Sequence, residues 1–115
     1  MCERAGFDAL WEGDPIFPWH NTDGRCLDVM VILEAYLQAT EKIMVVGLVP
    51  PNGIRRKPLD AALTFATMAN LHPNRVALTV AAGEAMNERA ATGVWFSPRE
   101  RVKRVREAAK LIRIC

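Results

Sequence analysis

The segment Ile43 to Val49 reads IMVVGLV, apolar at every position, and no other feature narrows the fold as far. A strand with one solvated face alternates apolar and polar residues. One that is apolar throughout needs cover on both faces, which parallel sheets with crossover helices supply. Arg75 to Ala81 (RVALTVA) repeats the pattern, and Phe7 to Gly13 reads as a short strand. The stretches between are helical in period. From Cys26 to Ala39 apolar residues cover a wide helical face, with Asp23 as the expected cap. Pro58 suits the first turn of a second helix, in which Leu59, Ala62, Leu63 and Ala66 recur at helical spacing up to Leu71. Ser97-Pro98-Arg99-Glu100 joins a capping box to a first-turn proline and opens a third helix, whose expected buried stripe is Val102, Val105, Ala109 and Ile112. With right-handed crossovers, this β-α-β-α-β-α order predicts three parallel strands beneath three helices.

A chain of 115 residues holds one domain, expected over 1–115, and has no room for a second core. Its longest apolar run falls well short of the roughly 20 residues of a membrane span, and no basic-then-apolar leader opens it. Cys2, Cys26 and Cys115 are odd in number and far apart, which excludes a disulfide framework and points to a reducing, cytoplasmic setting. No cluster of His, Cys and carboxylates has metal-ligand spacing. The overall charge of +2 is uneven, with seven basic and two acidic residues between Arg99 and Arg113. Such a segment serves an acidic partner or is the solvated face of an amphipathic helix. No aromatic interleaving, Gly-rich phosphate loop or helix-turn-helix pattern accompanies it, so nucleic acid is not the expected partner.

Three stretches, GFDALWEGDPIFPWH, PLDAALTFATMANLHPNRVALTVAAGEAMNE and WFSPRERVKRVREAAKLIR, occur in the order and spacing of one family. The chain resembles the luciferase-like flavin and deazaflavin oxidoreductases, in particular the deazaflavin-dependent glucose-6-phosphate dehydrogenases and methylenetetrahydromethanopterin reductases. Their hallmark G-x-G-E-A-x-N-E corresponds here to a run ending Ala82-Gly83-Glu84-Ala85-Met86-Asn87-Glu88. The resemblance implies an α/β fold, part of a (β/α)8 barrel of about three βα units, with this chain supplying strands two to four. It also implies hydride transfer at the barrel mouth to or from a small-molecule substrate, with coenzyme F420 or, alternatively, FMN.

Carried over position by position, the resemblance gives Glu84 a catalytic proton-transfer role and places Trp19 beside the transferring carbon. It makes Asp14, Ala82, Gly83 and Asn87 cofactor contacts. Catalytic groups of such barrels sit where strands end, and Glu84 follows a strand through Gly83, which lets the backbone approach closely. The chain departs from the family twice. Pro15 stands where the S-D-H-F-x-P-W motif has its catalytic His, and Pro50 lies near the place of a cofactor-contacting Thr, in a loop one residue shorter. Such barrels take roughly 250 residues, so a partner chain or a second copy would complete the sheet, whose edges otherwise invite aggregation. A truncated, non-catalytic or self-associating remnant is the alternative to an active oxidoreductase.

Overall fold

A computed structural model describes residues 2–20 and 24–115. Strands β1 (Ala9–Gly13), β2 (Met44–Val49) and β3 (Val76–Val80) form one sheet in the order β1-β2-β3, all parallel. Four helices follow the strands: α1 (Val29–Gln38), α2 (Pro58–Leu71), α3 (Ala85–Thr92) and α4 (Pro98–Ile114). The expected third helix is α4, and α3 is an additional short helix before it, ended by Gly93 in the left-handed region at φ 73°.

The register shows why the strands are apolar. Val45, Gly47 and Val49 alternate towards α1 and α2, and Val45 and Val49 are buried against Val29, Leu33 and Leu37 of α1 and Phe65 and Met68 of α2. Gly47 is a packing requirement, since a Cβ there would lie 2.6 Å from Leu33 and about as close to Phe65. The two helices reach the sheet only because this position is empty. Residues of the opposite register, Trp11, Gly13, Met44 and Leu48 among them, face away from α1 and α2, and Trp11 is 66% exposed. One face of the sheet is therefore packed and the other bare.

Three local expectations are corrected. Helix α1 starts at Val29, because the Asp28 carboxylate accepts from Met30 N at 2.9 Å and caps it there. Asp23, the expected cap, lies outside the described residues. In α4 the Ser97 half of the capping box forms, with Ser97 Oγ accepting from Glu100 N at 3.3 Å, and the Glu100 carboxylate accepts from Arg104. The expected stripe holds in part: Val105, Ala109 and Ile112 are half-buried, whereas Val102 is half exposed and Ala108 is the fully buried residue, because α4 docks on α2.

Both ends of the sheet carry charge. At the end where the strands begin, the Glu3 carboxylate accepts the N–H groups of Glu41, Lys42 and Ile43, which hold it below the ordinary carboxylate range. Arg75 donates to the carbonyls of Leu37, Thr40 and Ile43 and to the Thr40 hydroxyl, closing the α1–β2 connection.

Candidate functional site

The strands end together at Gly13, Val49 and Val80, and the loops that leave them enclose a cleft of about 590 Å³. All six residues singled out in the sequence line it: Asp14, Trp19, Ala82, Gly83, Glu84 and Asn87. The topology brings them together. Two come from the β1–α1 loop and four from the β3–α3 turn and the first turns of α3, and the parallel order puts both at one end of the sheet.

Gly83 makes the sharp turn with φ 80°, and a Cβ there would meet the Glu88 side chain at 2.7 Å. Both the backbone and the space require glycine. Glu84 is the N-cap residue of α3 and is exposed at the cleft. Its Oε2 accepts from the Trp19 indole N–H at 3.1 Å and from the Asn87 amide at 3.0 Å. Asn87 is 3% exposed, and its Oδ1 accepts from the backbone N–H groups of Ile16 and Phe17 at 2.7 and 3.1 Å. One amide side chain therefore pins the proline-bounded loop and orients the carboxylate. Pro15 and Pro50 also line the cleft.

Asp14 is buried, and its carboxylate is engaged by two guanidinium groups. Arg55 reaches Oδ2 at 2.9 Å, and Arg56 spans Oδ1 and Oδ2 at 2.9 and 3.0 Å. Arg55 also donates to the Asp14 carbonyl and to Glu88, whose other oxygen accepts from Asn52. Arg56 continues to Asp28 at 2.9 Å. Hydrogen bonding by Asp14 and then by Asp28 raises the Arg56 guanidinium above its ordinary range against the effect of burial. Burial alone would raise Asp28, but the bond and charge of Arg56 outweigh it and hold this carboxyl low. The network ties the β1–α1 loop, the β2–α2 loop and α3 into one rim. Sequence reasoning missed it, although Arg55-Arg56 follow a strand end, which is where function gathers in α/β folds.

Glu12 also lines the cleft and accepts from the Tyr36 hydroxyl at 3.2 Å. Burial and then the Glu12 charge push that phenol up, so it stays a donor. Among the described residues lining the cleft, Arg55 is the one cation, and its guanidinium is shared by Asp14 and Glu88. The walls are otherwise apolar, with Trp11, Leu48 and Ala81 among them.

Comparison with known proteins places this arrangement. The family described as luciferase-like monooxygenase matches residues 1–115. An F420-dependent glucose-6-phosphate dehydrogenase of Beutenbergia cavernae is 37% identical over 112 residues, covering 97% of this chain and 33% of the relative. An F420-dependent hydroxymycolic acid dehydrogenase of Mycobacterium tuberculosis is 36% identical, covering 97% of this chain and 31% of the relative. Among solved structures, an F420-dependent secondary alcohol dehydrogenase in complex with an F420-acetone adduct superposes with a TM-score of 0.94 at 37% identity, covering 98% of this chain and 34% of that one. The chain spans about a third of the length of the relatives it matches. Its three strands and four helices correspond to a fragment of a luciferase-like TIM-barrel fold.

Proposed function

Because the chain belongs to the luciferase-like monooxygenase family, we propose that its cleft is the coenzyme end of an oxidoreductase that uses F420 for hydride transfer to or from a small organic substrate. The observation that carries this reading is the bond between Trp19 and Glu84, which joins an aromatic plane and a carboxylate from two loops at one cleft. The residues suit a planar ring system. The Trp19 indole and the apolar wall of Leu48 and Ala81 offer flat contact, and Ala82 and Gly83 keep the turn free of bulk, so that a ring can approach the backbone. Asn87 and the pair Asp14–Arg55 hold those loops in place.

F420, when bound, would supply the hydride acceptor for oxidation of an alcohol, and Glu84 would take the proton that the hydroxyl gives up. Among the described residues both N–H donors converge on Oε2 of Glu84, so Oε1 is the oxygen that exchanges the proton. Pro15 supplies no imidazole, and the proton work falls to this carboxylate. The chain contributes strands two to four of the barrel as a single domain. The remaining strands, on the same polypeptide, a partner chain or a second copy, cover the bare face of the sheet. Its three free thiols fit the cytoplasm.

Titration with F420 and with FMN, followed by coenzyme fluorescence, tests this reading. Saturable binding of F420, weakened at least tenfold by Trp19→Ala, with Glu84→Gln retaining binding but losing turnover, is the expected result. Preference for FMN would replace the coenzyme. Pro15 favours a second reading, in which the chain binds coenzyme without turning over. Tight F420 binding with no oxidation of any alcohol would establish it.

A further inference from the structure

We propose that Trp11 is the specificity-determining residue of the cleft, a floor that admits small, uncharged ketones and alcohols and turns away bulkier ones. The inference rests on the functional reading above. Trp11 and Gly13 point to the same bare face of β1, because side chains in a strand alternate. They sit two residues apart, about 7 Å along the strand, with Gly13 at the rim and Trp11 below it. Gly13 leaves the path between them open. A Cβ at that position would have only Pro15 Cδ within 4 Å, at 3.6 Å, so a side chain there would stand in unfilled space and divide the cleft. Glu84, Gly13, Leu48 and Trp11 line one and the same cavity.

Trp11 is not occupied in holding the described fold together. It is 66% exposed, and the core of Val29, Leu33, Leu37, Val45, Val49 and Phe65 lies on the other side of the sheet. A large flat side chain kept on that side, within the same cavity as the proposed catalytic carboxylate, sets how far a substrate's second substituent can extend below the reacting carbon. The charge requirement has a separate source. The guanidinium of Arg55 is committed to Asp14 and Glu88, Glu84 adds a further carboxylate at the cleft, and Glu12 turns its own to Tyr36. An anionic substrate meets the Glu84 carboxylate here, and among the described residues lining the cleft no cation is left uncommitted to offset it.

The test uses the indole N–H resonances of the three tryptophans, with the Trp11 signal assigned by its loss in Trp11→Leu. Acetone, cyclohexanone and glucose 6-phosphate are titrated into the wild-type chain, Trp11→Leu and Trp11→Ala, each checked for folding by thermal melting. In wild type, acetone is expected to shift the Trp11 resonance saturably, while cyclohexanone shifts it at least tenfold more weakly. Cyclohexanone should bind both variants at least tenfold more tightly than wild type, and the sugar phosphate should bind none of the three. An unmoved Trp11 signal, an unchanged preference in both variants, or sugar-phosphate binding through this cleft overturns the proposal. Two outcomes separate it from the coenzyme reading. F420 binding with an unchanged ketone preference sinks only the role of Trp11. Ketone binding at Trp11 by a folded chain that ignores F420 upholds the floor and sinks the coenzyme.

Discussion

Both ends of the sheet carry charged side chains and use them differently. Where the strands begin, Arg75 and Glu3 each spend a charged group on several main-chain partners within residues 37–43, so the charge acts as a cap on one connection. Where the strands end, Asp14, Arg55, Arg56 and Glu88 bond to one another across two loops and helix α3, and the space they frame stays open as a cleft. The first arrangement satisfies backbone groups that would otherwise be left unpaired, at low demand on side-chain geometry. The second is costly to assemble, because charges leave water, and it fixes positions. In barrels of this kind the first end serves stability and the second function. This chain shows the distinction in its hydrogen bonds and ion pairs as well as in its topology.

Breaking the buried network should have the largest effect. Arg55→Met leaves Glu88 and Asp14 short of their shared partner, and urea unfolding should show a loss of about 3–5 kcal/mol, together with weakened F420 binding. Arg75→Met should cost about 2–3 kcal/mol by the same measurement, from carbonyls of Leu37, Thr40 and Ile43 that lose a charged donor, with F420 affinity unchanged. Equal damage to coenzyme binding by both variants would erase the contrast between the ends. Asn87→Ala should cost less stability, about 1–2 kcal/mol, yet weaken F420 binding about tenfold, because the Ile16–Phe17 loop and Glu84 lose one anchor. The smallest effect is with acid. Glu3, Asp28 and Glu34 all lie below their ordinary carboxylate values, Glu34 chiefly through its bond to His72. The unfolded chain therefore takes up protons first, so stability is complete above about pH 4.5 and declines as pH falls through the lowered folded values. Melting from pH 7 to pH 3 should show this decline, and Glu3→Gln should flatten part of it.

Much of the scaffold was legible in the sequence, for local reasons. The uninterrupted apolar run at residues 43–49 gave β2 within one residue, Pro58 gave the start of α2, and Ser97-Pro98 gave the start of α4. Helix α1 began later than its apolar pattern, because Asp28 caps it while Leu27 remains 63% exposed. Val105, Ala109 and Ile112 of the α4 stripe are half-buried as expected, but Ala108 was missed, because the helix packs on α2 rather than on the sheet and an arginine-rich surface does not announce which side an alanine buries. At the site, motif resemblance brought six residues to one cleft. It did not reveal the network, whose bonds join Asp14 to Arg55 and Arg56 across more than 40 residues of chain, a separation no local pattern encodes. Nor did it reveal Trp11, which reads in a strand as an ordinary apolar residue until the sheet shows which face is bare.

Amide hydrogen exchange with and without F420 tests the division between the two ends most directly. The account predicts that F420 slows exchange in residues 14–19, 52–56 and 81–88, where Asn87, Arg55 and Glu84 tie the loops together, and leaves residues 37–43 unchanged. Protection concentrated in residues 37–43, or no change in the cleft loops of a folded chain saturated with F420, would contradict it.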